Sequence, residues 1–507
     1  MTITQHDRSV EEDLLLDEEI PDTPQQALRE GFPRSLGQRL EELWLRTPAW
    51  ARGDRALTTA AFLGVLTLLL GFSLYQWSAG RNFYDGAYFS QAAWLISHGH
   101  DPIVTIRGVH MFADHAYFIF YPIAYLTRLS PDPLPVLLAV QAVALAAGVF
   151  PLALFARRVV GLGLLGTAGT LAAYALYPAL HNVNAAEYHP ESTAVPFILA
   201  GAYFCARRNW TWYFVCLGIV LLCREDLAIP AATAGVMMLF AARVRQGLVT
   251  VGVAGVALAV NLGFVIPHFA AGQDLVGDLY ARYGGSTGAL VRYTVQNPMG
   301  VTADLMSVGN LLVFIGLLAP VCFLALAGWR WALPALPLQV LYLLSSRESA
   351  HTILVQYVTQ AIPFVMLGLA AGLGRLRGRR ALALPLTAAA VITFLSYTVV
   401  SPLSEQHPWR SGEALAASKA EVAEVVPEGV AVSSTEAAWS VLAERRELFP
   451  YPIAEPDWLI PQPDLPGEQV CWAVVDHQSP LWETHRPEAP EWDLAYEDDV
   501  FSVYRSC

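Results

Sequence analysis

The chain has 507 residues, 55% of them hydrophobic and only 15% charged, with a mean hydropathy of +0.41, which excludes a soluble enzyme and a disordered chain alike. The net charge of −13 divides as −5 over residues 1–56, +6 over 57–401 and −14 over 402–507. No concentrated basic face remains for nucleic acid, and the apolar runs of about 20 residues between 57 and 400 are those of a polytopic membrane protein.

Residues 1–56 begin without the basic start and apolar core of a cleavable signal peptide. They are expected to form an acidic cytoplasmic tail, with a short amphipathic helix at the membrane surface over 36–45. The transmembrane domain, 57–401, reads as about eleven spans, near 57–77, 134–156, 159–179, 192–206, 210–223, 227–242, 247–269, 303–327, 331–344, 353–374 and 381–401. Large outward loops lie at 80–133 and 270–302. Arg52 and Arg55, Arg157 and Arg158, Arg207 and Arg208, Arg243 and Arg245, Arg330, and the group Arg375, Arg377, Arg379 and Arg380 all fall on alternate breaks. That is the cytoplasmic side by the positive-inside rule, so the C-terminal region lies outside.

Residues 402–507 alternate short β-type runs with Pro and Gly breaks, which predicts a small extracytoplasmic α/β domain. Cys471 and Cys507 lie in it and can pair if that side is oxidising, whereas Cys205, Cys216, Cys223 and Cys322 read as packing residues. Lys419 is the sole lysine among 31 basic residues. Composition bias accounts for that, with no mechanistic weight.

Ionisable groups at membrane depth are costly and persist mainly where they act, so the outward breaks carry the candidates. The first loop holds Asp85 in RNFYDGAYFSQ, then His110, Asp114 and His115 in HMFADHAYFIFYP; an aspartate among aromatics can take a proton from a substrate hydroxyl held near it. AAEYHPES supplies Glu187, His189 and Glu191, with Glu187 and His189 open to reading as an acid/base pair or as metal ligands. No HExxH spacing is present, so no metal or other cofactor is assigned, and a divalent ion is left open. The run 210–223 is about 21 Å long as a helix, too short to cross, which places Arg224, Glu225 and Asp226 below the outer surface. The run 331–344 does the same for Arg347 and Glu348, and two such shallow tips imply a water-filled cavity opening outward; internal ion pairs are the plain alternative. The loop 270–302 adds Arg282, Tyr283, Arg292 and Tyr293, arginine being suited to phosphate. Arg347 and His351, four apart, are expected to share a helical face.

The order FYDGAYFSQ, LLAVQAVAL, YPALHNVNAAEYHP, CREDLAIPA, HTILVQYVTQAIPF, PEGVAVSST and WAVVDH resembles the membrane family of domain of unknown function 2079, from about residue 79 to 477. That family in turn looks like a distant relative of GT-C type membrane glycosyltransferases, which take a sugar from a polyprenyl phosphate on the outer side. The resemblance implies an all-α, GT-C-like membrane domain in a bacterial plasma membrane, a lipid-linked sugar as donor, and a glycan, lipid or protein as acceptor. It also implies that Asp85 matches the family's base; many relatives pair that acid with a second, where this chain has Gly86. Three functions are weighed: a glycosyltransferase with Asp85 as base and Asp114, His115, Glu187, His189, Arg224, Glu225, Asp226, Arg282, Arg347 and His351 binding substrate; a transporter or lipid flippase; and an inert scaffold whose tail recruits envelope partners.

Overall fold

The computed structural model describes residues 53–270, 277–376, 382–404, 412–452, 470–487 and 491–507. The expected helix at 36–45 and the arginines 377, 379 and 380 lie outside them. Three single helices among the described residues are long and apolar enough to cross a bilayer: Asp54–Ser78, Pro133–Arg158 and Val244–Phe269. At 1.5 Å per residue these 25 or 26 residues reach about 38 Å, enough to span with some tilt.

Of the remaining apolar runs, 192–206, 210–223, 227–242 and 381–401 each hold one shorter helix, while others are interrupted where the backbone ladder fails. Residues 159–179 divide into Leu164–Ala175 and a helix starting at Pro178, because Tyr177, directly before the proline, is driven to an extended conformation. The expected spans 303–327 and 331–344 become a chain of short pieces. Pro298–Leu305 and Val308–Val321 meet at 56°, Cys322 and Phe323 take left-handed φ of 51° and 55°, and Pro334 and Pro337 break the rest. Carbonyls released by these breaks find side chains: Tyr177 donates to Leu317 O at 2.7 Å and Asn310 to Leu343 O at 3.1 Å. That repair makes broken backbone tolerable in an apolar surround. The stretch before Ala361–Arg375 is broken as well, into bends at 352–355 and a 3-10 turn at Gln356–Val358, and Gln356 and Tyr357 line the cavity described below.

Helix Ala361–Arg375 is buried along nearly its whole length and packs on the short helices Leu324–Ala327 and Trp329–Ala332 through glycine. A Cβ at Gly372 would stand 2.1 Å from Leu324 O, and one at Gly328 would stand 2.0 Å from Gly368 O. Close backbone approach of this kind substitutes for hydrophobic drive between helices in lipid.

In the loop 80–133, β1 (Ile103–Val104) and β2 (Val109–His110) form a small antiparallel hairpin. The C-terminal region folds into the expected small α/β unit, with β3 (Val432–Ser434), β4 (Leu448–Pro450), β5 (Trp472–Asp476), β6 (Asp493–Glu497) and β7 (Phe501–Arg505) in the order β4-β3-β5-β7-β6. β3 runs parallel to β4 and β5, while β7 is antiparallel to β5 and β6. Cys471 and Cys507 are bonded and so fasten the start of β5 to the residues after β7. This unit is not a separate appendage. Val422, Val432, Leu442, Val474 and Phe501 share one hydrophobic core with Ala87, Phe89, Ile96, Phe120 and Leu137 of the loop 80–133 and the helix after it.

Candidate functional site

Asp85 sits in the first turn of helix Tyr84–Ser97, where the positive end of the helix dipole favours a carboxylate. Nothing local caps that helix. Glu187 reaches in instead from 104 residues away: its Oε1 accepts from Phe83 N at 2.6 Å and its Oε2 from Gly86 N. A Cβ at Gly86 would lie 3.1 Å from that oxygen, so the missing side chain beside Asp85 is what leaves room for Glu187. Glu187 holds φ at +69°, a conformation that non-glycine residues rarely adopt. Burial pushes its carboxyl up to about 7, Asp85 adds to the rise, and the two amides oppose it.

Asp85 itself stays 37% exposed, with His189 Nε2 3.5 Å from its Oδ2. A single glutamine holds the segment behind it. Gln141 Nε2 donates to Glu187 O at 2.6 Å, and its Oε1 accepts from His189 N at 2.8 Å. Burial pulls the His189 imidazole down, but Asp85 and Glu191 outweigh that and hold it above its ordinary pKa.

In front of Asp85 opens a cavity of about 410 Å³. The rings of Tyr84, Tyr88, Phe89 and Tyr117 contribute apolar walls, and Arg107, Arg224 and Arg347 contribute positive charge against Asp85 and Asp114. Arg224 is already heavily engaged. It donates to Glu191 at 2.8 Å, lies 3.2 Å from Asp226 Oδ2, and its Nη2 is 3.3 Å from His115 Nε2. His115 Nδ1 in turn bonds Glu225 at 2.7 Å; burial and Arg224 depress the imidazole, and the Glu225 carboxylate more than restores it. Tyr342 donates to Asp226 at 2.6 Å, closing the network. Arg107, in the turn between β1 and β2, is held loosely, 3.6 Å from Asp114. Arg347 bonds only the Tyr357 hydroxyl, at 3.0 Å, and among the described residues no carboxylate lies within ion-pair distance of it.

Of the candidates from sequence, Asp85, Asp114, His115, His189, Arg224 and Arg347 line this cavity together. Glu187, Glu225 and Asp226 stand behind it as acceptors that hold lining residues in place. Two expectations are corrected. Arg282 is half exposed and bonded to Asp304 at 2.6 Å, with Tyr283 donating to the same carboxylate at 2.7 Å, so it braces the loop 270–302 rather than the cavity. His351 bonds Asn310 and Ser345 O, because Arg347 is extended and Glu348–His351 is a 3-10 turn that shares no α-helical face with it. Sequence reasoning missed Arg107, Tyr84, Tyr117, Gln141 and Tyr357. A lone arginine in a hairpin and tyrosines among many carry no spacing signal. Among the described residues no group of three or more His, Cys, Asp or Glu is placed to hold a metal ion.

Two solved structures of ArnT from Cupriavidus metallidurans, one bound to undecaprenyl phosphate and one in the apo state, share this fold. Each superposes with a TM-score of 0.53 at 14% identity, covering 89% and 88% of this chain respectively and 98% of theirs. At 14% identity this likeness is one of fold. Among curated proteins none matches. The model of one family matches residues 77–496, most of the chain, and the protein belongs to that family, described as Predicted membrane protein (DUF2079).

Proposed function

We propose that the protein is a membrane glycosyltransferase moving a sugar from a polyprenyl-phosphate donor to an acceptor hydroxyl on the extracytoplasmic side. The observation that carries this reading is that one cavity is lined by both a partly exposed Asp85 and Arg347, an arginine with no carboxylate within ion-pair distance among the described residues. The shared fold with a protein crystallised with undecaprenyl phosphate supports a lipid donor. Asp85 would remove the acceptor proton as the acceptor oxygen bonds to the anomeric carbon. The bond from that carbon to the phosphate oxygen breaks, and its electron pair leaves with the lipid phosphate. Arg347 and Arg107 face the developing anion, where a well-placed donor is worth about 3–4 kcal/mol in the transition state. Tyrosine and phenylalanine walls suit sugar faces. The disulfide in the C-terminal domain and the arginines on alternate breaks support an external site in a multi-pass plasma-membrane protein.

Purified protein in nanodiscs with a radiolabelled polyprenyl-phosphate sugar tests this. Free polyprenyl phosphate should appear in step with labelled acceptor, and Asp85→Asn should cut kcat by about 10²–10⁴. Solute or lipid movement in liposomes without bond cleavage would establish a transporter instead, and wild-type behaviour after neutralising both Asp85 and Glu187 would establish a scaffold.

A further inference from the structure

Lys419, on helix Glu413–Val425 of the C-terminal domain, is 1% exposed, and its ammonium is fully used: Nζ donates to Gly80 O at 2.6 Å, Asn82 O at 3.1 Å and Ser440 Oγ at 3.2 Å. It also lies 4.8 Å from the Phe83 ring centroid, and Phe83 N is one of the two amides that hold Glu187 beside Asp85. We propose that Lys419 is a positioning residue for Asp85, tying the turn at residues 80–82 to the C-terminal domain and so setting the first turn of the helix that carries the base. This rests on the reading of Asp85 as the base.

The residue type supports the assignment. Three acceptors, Gly80 O, Asn82 O and Ser440 Oγ, converge on the one point that the Lys419 Nζ occupies. A compact ammonium can donate to all three, whereas a planar guanidinium aims its donors in a flat fork and is larger. The stem has no slack either, since a Cβ at Gly80 would stand 3.3 Å from Lys419 Cδ.

Neighbouring contacts converge on the same helix. The Trp439 ring lies 5.8 Å from that of Tyr84, which walls the cavity, and Thr105 bonds both Gln91 of the Asp85 helix and the backbone of Leu448 in β4. Lys419 faces Glu187 from the loop and Glu436 from the next helix, and Glu436 is in turn near Asp85 and Asp476. Burial pulls the ammonium down to about 8 against those two glutamates.

The test uses the full chain in nanodiscs, comparing Lys419→Met, Lys419→Arg and Ser440→Ala with wild type by hydrogen exchange and by transfer kinetics from pH 6 to 9. In K419M, amides of residues 83–90 should exchange at least tenfold faster while β5 and β7 keep their protection. With the same donor, kcat should fall at least tenfold, KM should change less than threefold, and a wild-type loss of activity above about pH 8 should disappear. Lys419→Arg should not rescue. Unchanged exchange at 83–90 overturns the proposal whatever the activity, and so does a retained kcat in an active enzyme. A wild type with no transferase activity counts against the proposed function alone, and the exchange result then decides whether Lys419 orders the loop. If K419M loses protection across β5 and β7, Ser440→Ala carries the same comparison with a two- to fivefold effect, and its absence overturns the proposal.

Discussion

Gly86 and Glu187 act as one unit, and each makes a measurable demand. Gly86→Ala pushes a methyl toward the Glu187 carboxylate at 3.1 Å and should cost about 1–3 kcal/mol, read as a lower melting temperature together with a lower kcat. Glu187 has its pKa raised from 4.5 to about 7 in the folded protein, so the native state binds more protons than the unfolded state between those values. Its contribution to stability is therefore fully present below about pH 4.5 and declines as pH rises to about 7. Glu187→Gln lacks that decline, so its melting temperature relative to wild type should shift in its favour between pH 5 and 8; a constant difference would mean the carboxylate is ionised throughout. Arg347→Ala should weaken undecaprenyl phosphate binding tenfold to a hundredfold, as expected for a lost charge-assisted hydrogen bond of about 1.5–3 kcal/mol, while Arg282→Ala changes it less than twofold. Asp85, His189 and Arg347 were legible as candidates because charges in the breaks stand out against apolar spans. The partnership of Glu187 with the Asp85 helix was not, since it joins positions 104 apart and depends on a missing side chain.

Hydropathy marked where the chain is apolar but not where its helices break. The long helices 54–78 and 133–158 fall close to their expected limits, because the first is unbroken and the second is interrupted by a single residue, Gly148. Between 298 and 343, prolines, left-handed residues and glycine contacts divide the path into short pieces, and the pieces are held by tertiary hydrogen bonds that no local window contains. Glycine contact gives a paired test. Gly372→Ala meets the Leu324 carbonyl and should destabilise by about 1–3 kcal/mol or more, measured as a lower melting temperature in detergent. Gly252→Ala, in the helix Val244–Val260 with nothing within 4 Å of the new methyl, should be neutral or stabilising by up to about 1 kcal/mol.

Sequence composition marked off a C-terminal domain but not its attachment, because the contacts that weld it to the loop 80–133 span more than 300 positions. The domain's own staple is testable. Cys471→Ser opens a bond between residues 36 apart and should cost the domain about 2–4 kcal/mol, seen as earlier loss of protection in β5 and β7 during denaturant titration. The long reach also imposes an order in time. Lys419 follows Gly80 by 339 positions, and at a synthesis rate of about 5–20 residues per second roughly 20–70 s separate the birth of the loop from the birth of its clasp. On the proposed reading of Asp85 as the base, a chain still on the ribosome would carry that residue on an unclasped turn and would be unable to squander a lipid-borne sugar.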